Sequence, residues 1–131
     1  MKTNREHIEY WLFNAIDDWE AVQALFAVKK YLQALFFAHL VIEKLCKAAW
    51  IRDNESNIPP KSHNLVFILS KTKLELSEQQ SEFLLELNRF QLEGRYPDYI
   101  SQMQKICNDE FTLNVLRKAE GIKQWLQTVL Q

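Results

Sequence analysis

The stretch FFAHLVIEKLCKAAW, residues 36–50, is typical of a core-forming helix, yet it carries polar side chains along one side. His39, Glu43 and Lys47 follow one another every four residues among the apolar positions. Residues four apart lie one above the other on a helix, so these three side chains form a nearly continuous ridge. We predict a helix over about residues 31–52 with one apolar side in the core and a polar ridge on another side.

Three other long segments also predict helices. Apolar residues recur at helical spacing over residues 5–26, and VKKY, residues 28–31, marks the break before the second helix. A Ser-x-x-Gln capping box at Ser77–Gln80 opens a helix over about residues 78–92. The same spacing of apolar residues predicts a last helix over about residues 109–130.

Turn and capping residues place the boundaries between these helices. The loop DNESNIPPKSHN contains a Pro-Pro pair and ends where Ser62 or Asn64 can cap a short helix. Asn108 or Asp109 can cap the last helix in the same way. YISQMQKICN, just before it, fits no single state. Four main helices and a short one predict an all-α fold, an antiparallel four- or five-helix up-and-down bundle that forms one domain over residues 1–131.

Composition excludes several classes of protein. Two glycines and three prolines in 131 residues are too few for a sheet protein, and no glycine cluster is present to hold a phosphate. Sixteen basic and seventeen acidic residues give a net charge of −1, so no global field attracts nucleic acid or a membrane. Cysteine and histidine show no metal-ligand spacing, and we predict neither a metal nor a cofactor.

The sequence also bears on location. MKTNREHIEYW lacks the apolar run of a signal peptide, and the most apolar stretch, residues 34–42, is too short to cross a membrane. Cys46 and Cys107 are far apart and are expected to be reduced, buried thiols. We therefore expect a soluble, cytoplasmic protein with no membrane partner.

The polar ridge has two interpretations. It is either a solvated face, on which Glu43 and Lys47 form an ordinary surface pair, or an edge that recognises an anion. In the second case Lys44 and Lys47 contact phosphate, and the imidazole of His39 donates a hydrogen bond.

The turn EGRYPD, residues 93–98, also has two interpretations. It is either a helix stop with a surface arginine, or a rigid turn that presents Arg95 to a phosphate and Tyr96 to a base.

Taken in order, these motifs resemble the HEPN domain (higher eukaryotes and prokaryotes nucleotide-binding). The resemblance covers nearly the whole chain and rests on four groups of residues: Tyr10-Trp11 with Ala15 and Asp18, Glu43-Lys44 with Lys47-Ala48, Pro59-Pro60 with His63 and Leu65, and Arg95-Tyr96-Pro97-Asp98. It implies an antiparallel helical bundle, usually a homodimer, often encoded beside a small nucleotidyltransferase as a toxin–antitoxin-like pair.

The resemblance offers two functional branches. In the ribonuclease branch, an Arg at this turn is followed a few residues later by a His, and two subunits cut RNA in a shared cleft. Here the corresponding positions hold Ile100, Ser101 and Gln102, and no histidine follows His63. Metal-free RNA cleavage normally needs an acid or base with a pKa near neutrality, so the departure favours the non-catalytic Arg-Tyr-Pro branch.

We therefore predict a non-catalytic HEPN protein that binds a nucleotide, a nucleotidyltransferase partner or both. The candidate nucleotide- or anion-binding residues are His39, Glu43, Lys44, Lys47, His63, Arg95 and Tyr96. The alternative is a metal-independent endoribonuclease toxin that uses Arg95 with a displaced base, either His63 or His39. A purely structural interaction module is a third reading.

A homodimer is expected on independent grounds. Four Trp, four Tyr and eight Phe exceed what one bundle core of this length readily buries. The surplus aromatic surface is expected to face a partner.

Overall fold

The chain folds as a set of six helices in the part that the structure describes. The computed structural model describes residues 3–92 and 96–131, with only the backbone described at Leu92 and Pro97. The helices are α1 (Asn4–Ala27), α2 (Tyr31–Asp53), α3 (Leu65–Ser70), α4 (Glu78–Leu92), α5 (Pro97–Ile106) and α6 (Asp109–Val129). These ranges contain no β-strand, so the predicted all-α fold is confirmed.

Side-chain caps begin α3 and α6 at the predicted places. The Asn64 side chain accepts a hydrogen bond from the Phe67 amide at 3.2 Å and so caps α3, while Ser62 accepts one from the Asn64 amide. Asn108, and not Asp109, caps α6. Each such cap satisfies an amide that the first helical turn leaves without an intrahelical partner.

The capping box at the start of α4 is also confirmed. The Gln80 amide donates to the Ser77 hydroxyl at 3.0 Å, and the Ser77 amide donates to the Gln80 side chain at 2.9 Å. At the other predicted boundary, the VKKY break, Lys29 adopts a φ of 65° and turns the chain between α1 and α2.

Helix α2 is the centre of the bundle, because it packs against each of the other five helices. Its apolar residues, including Leu35, Ile42 and Leu45, are fully buried. From α6 the core receives Val115, Ala119 and Ile122, as the periodicity predicts. The polar ridge therefore lies on the most enclosed helix of the molecule.

The segment whose state the sequence leaves open forms helix α5. It begins with Pro97 at its first turn, where a missing amide proton breaks no helical bond. Met103 and Cys107 from this part of the chain are buried. The predicted stop of α4 at residues 93–95 lies outside the described residues.

None of the helices in residues 3–92 and 96–131 combines the length and the apolar character that crossing a membrane requires.

Candidate functional site

The polar ridge of α2 is buried. His39 is 0 % exposed and Glu43 is 5 % exposed, and the side chain of Lys47 keeps only 12 % of its surface accessible. A solvated face would leave these groups in water, so that interpretation of the ridge is wrong. Buried polar groups need partners, because an unsatisfied one destabilises the fold by several kcal/mol in an apolar surrounding, roughly 2–7 kcal/mol by transfer measurements.

The Glu43 carboxylate is the centre of this site. Its Oε2 accepts a hydrogen bond from Lys47 Nζ at 3.0 Å, and its Oε1 lies 2.8 Å from Nδ1 of His63. Because a carboxylate only accepts, His63 Nδ1 carries the proton of this hydrogen bond. Glu43 therefore joins the buried helix to the loop that leads into α3.

His63 is the exposed member of the site. Its side chain is 47 % exposed, although its Nδ1 is held by the buried carboxylate. No described residue forms a hydrogen bond with its other ring nitrogen, Nε2. A histidine whose Nδ1 is fixed in this way offers Nε2 to a ligand in a defined orientation.

His39 lies one turn before Glu43 on α2, and its neighbours decide which of its ring nitrogens carries the proton. Asn88 Oδ1 lies 3.2 Å from His39 Nε2 and also accepts the Leu65 amide at 3.1 Å. The amide oxygen is thus the acceptor for both, so Nε2 carries the His39 proton.

Nδ1 of His39 is then the buried ring atom without a hydrogen-bond partner among the described residues. It lies 3.8 Å from Glu43 Oε1. Burial lowers the pKa of His39 below its ordinary value of 6.5, and the Glu43 carboxylate, the Asn88 side chain and the backbone of His63 partly oppose that shift.

Asn88 joins three parts of the site. Besides His39 and the Leu65 amide, it contacts the cap of α3, since its Nδ2 donates to Asn64 Oδ1 at 3.1 Å. Asn88 is not among the residues predicted from the sequence. The available signal was an amide four residues after the buried Leu84, and therefore on the same side of α4.

The two lysines point towards α1. Lys44 forms an ion pair with Asp18, while Lys47 Nζ lies 5.7 Å from the centre of the Trp11 ring. Each lysine thus has a carboxylate partner, Asp18 or Glu43, and the positive charge of the edge is largely balanced. Lys44 stands beside the cluster, one residue round the helix from Glu43, and does not join it.

The remaining predicted residues lie on the turn after α4. Arg95 is outside the described residues. Tyr96 is 52 % exposed, and its ring meets that of Tyr99 edge to face, with centroids 6.3 Å apart. The structure therefore brings together His39, Glu43, Lys47 and His63. That Arg95 and Tyr96 also approach this cluster remains a prediction.

Within the described residues, no group of three or more His, Cys, Asp or Glu side chains is arranged to hold a metal ion.

These features define an all-α bundle whose central helix holds a buried Glu–Lys–His cluster beneath an exposed histidine. A sequence model of the HEPN domain matches residues 8–129, so the chain belongs to the HEPN domain family. This family has nucleotide-binding and ribonuclease roles. No significant match was found among curated proteins or among solved structures.

Proposed function

We propose that this HEPN domain binds a nucleotide, or a phosphate group of RNA, at the edge of α2 without cleaving it. The observation that carries the proposal is the 2.8 Å contact between Glu43 Oε1 and Nδ1 of the half-exposed His63. Nε2 of that ring is free to donate to a phosphate oxygen when the ring is protonated. A hydrogen bond between charged groups is about twice as strong as a neutral one.

Arg95 is proposed to supply the main charge for this binding. Lys44 and Lys47 already have carboxylate partners, so a phosphate gains less from them than from an additional guanidinium. Arginine can bind a phosphate through two parallel hydrogen bonds, whereas lysine acts as a point charge. Tyr96, exposed at the start of α5, is the residue proposed to stack on the base.

The binding test is a thermal-shift screen with ATP, AMP and short RNA, followed by calorimetry. Arg95→Ala is expected to lower affinity about 10- to 100-fold, and His63→Ala is expected to lower it by a smaller factor. Arg117→Ala, an exposed arginine on α6, is the matched control and is expected to bind as the wild type. The proposal is wrong if none of these ligands binds, or if Arg95→Ala and His63→Ala both bind normally.

The ribonuclease is the second candidate, and the same contact favours it. A carboxylate that holds Nδ1 of a histidine, with Nε2 exposed, is the arrangement that orients a general base. His39 is unsuited to this role because it is fully buried. In this alternative His63 Nε2 takes the proton of a ribose hydroxyl, and Arg95 stabilises the phosphate in a cleft between two subunits.

RNA incubation with EDTA separates the two candidates. The non-catalytic reading expects intact RNA with the wild-type protein. Cleavage that persists in EDTA and is lost in both His63→Ala and Arg95→Ala would establish the ribonuclease instead. His7→Ala changes a histidine on α1 and is the control against a contaminating nuclease, since the contaminant would survive all three substitutions.

The partners are proposed from the family and from the exposed surface. HEPN domains often dimerise, and α1 exposes Tyr10, Phe13 and Ile16, with Phe13 71 % accessible. We propose a homodimer that pairs with a small nucleotidyltransferase in a toxin–antitoxin-like system. Light scattering is expected to give about twice the 15.6 kDa chain mass at micromolar concentration. A monomeric mass would contradict the dimer.

A further inference from the structure

A groove between α4 and α6, away from the polar ridge, has the features of a small-molecule site. Both helices pack on α2, and a cavity of about 710 Å³ opens between them. Ligand pockets typically measure roughly 300–1,000 Å³. The lining includes Glu82, Phe83 and Glu86 of α4, Gly121, Ile122 and Trp125 of α6, and polar side chains at the start of α4. We call this the α4–α6 groove.

The floor of the α4–α6 groove is apolar and partly aromatic. Phe83 and Ile122 are each 8 % exposed, and Trp125 packs against the core while keeping part of its ring accessible. A Cβ atom at Gly121 would meet nothing within 4 Å, so the α6 wall leaves open space at this residue. A flat ring system fits such a floor, because aromatic surfaces favour stacked or edge-to-face contacts.

The charges of the groove favour a cation. Glu82 and Glu86 lie one turn apart on α4, and neither forms an ion pair or a hydrogen bond with another described side chain. Lys118 adds one positive charge from α6, so the charged side chains of the lining sum to a net negative charge. The ring of Trp125, which stays partly accessible, also attracts cations.

We propose that the α4–α6 groove binds a small molecule that joins a flat apolar ring system to a protonated amine. The ring lies over Phe83 and Ile122 beside Trp125, and the amine pairs with Glu82 and Glu86. This site shares no residue with the His63 site, so either proposal can fail without affecting the other.

Three indole compounds of nearly equal size test the charge requirement. Tryptamine carries an amine, tryptophol a hydroxyl and indole-3-propionate a carboxylate. In NMR titrations of the full chain, tryptamine is expected to shift the amide signals of residues 118–125 and to bind up to about five-fold more tightly than tryptophol, since one exposed ion pair contributes at most about 1 kcal/mol. Indole-3-propionate is expected to bind more weakly still. Equal binding of tryptamine and tryptophol, or no tryptamine binding at millimolar concentration, would overturn the proposal.

Two variants locate the site. In Gly121→Leu the added Cβ meets nothing within 4 Å, and leucine improves helix propensity, so the protein is expected to stay folded and to lose tryptamine binding. The double substitution Glu82→Gln/Glu86→Gln is expected to reduce the affinity for tryptamine to that for tryptophol. Glu20→Gln, an exposed carboxylate on α1, is the matched control. Tryptamine binding that survives Gly121→Leu would show that the α4–α6 groove is not the site.

Discussion

Replacing Glu43 by Gln is the most direct test of the buried cluster. The substitution keeps the shape of the side chain and an acceptor oxygen, but it removes the negative charge that Lys47 contacts at 3.0 Å. Breaking a buried ion pair destabilises a fold by about 3–5 kcal/mol, because one charge stays in the interior without compensation. Lys47 retains 12 % of its surface and can shift part of its ammonium towards water, so we expect about 2–4 kcal/mol.

The measurement is urea unfolding followed by circular dichroism. The m-value is expected to stay constant while the midpoint falls, and the melting temperature is expected to fall by about 10 °C for a chain of this size. Glu9→Gln is the matched control. Glu9 also pairs with a basic residue four positions away, but the side chain is 60 % exposed, so the expected cost is below about 1 kcal/mol. If Glu43→Gln destabilises the protein no more than Glu9→Gln does, the buried-cluster argument is refuted.

Asn88→Ala leaves the Leu65 amide and His39 Nε2 without their acceptor and is expected to lower the unfolding free energy by about 1–3 kcal/mol. Asn14→Ala is the control, because it removes only an exposed hydrogen bond to the backbone of its own helix. The lowered pKa of His39 means that, as the pH falls, the unfolded chain binds the proton before the folded chain does, so the unfolding free energy falls below about pH 6.5. In His39→Gln the loss of unfolding free energy between pH 7.5 and pH 5 is expected to be smaller. If urea titrations give His39→Gln the same dependence of unfolding free energy on pH as the wild type, this prediction is wrong. Cys46 and Cys107 are buried, and burial raises the pKa of both thiols. A thiol reagent is therefore expected to react with them only after unfolding. Rapid reaction of the native protein would show instead that the thiols are accessible.

The sequence predicts most of the fold because the helices depend on local signals. Caps act over three residues, as at Asn64 and Asn108, and the apolar period repeats within each helix. Helix α5 was left open because it is short, and its helical state depends on burying Met103 and Cys107 against other parts of the chain. Its ten residues are amphipathic at the helical period, but a helix this short is only marginally stable without tertiary contacts, so the pattern alone does not decide its state.

The candidate site was predictable only where its residues share a helix. The four-residue spacing placed His39, Glu43 and Lys47 together, and His63 came from the family resemblance. The spacing did not show that the ridge is buried, because burial depends on which helices surround α2. Asn88 was missed because it contacts His39, a residue 49 positions away in the chain. A contact between residues so far apart produces no local sequence pattern.

Stability alone does not explain why α2 keeps this cluster. Apolar side chains of similar volume in place of a buried ion pair often leave a protein equally stable or more stable. What the charges supply is orientation: Lys47 holds Glu43, and Glu43 fixes the ring of His63 on a loop that has no regular structure of its own. Asn88 forms hydrogen bonds with the Leu65 amide and with the Asn64 side chain, and so holds the end of that loop in place. We infer that the buried cluster serves to present His63 Nε2 at the surface. Glu43→Leu combined with Lys47→Met is therefore expected to restore most of the stability that Glu43→Gln loses, and to leave the His63 ring without the carboxylate that orients it.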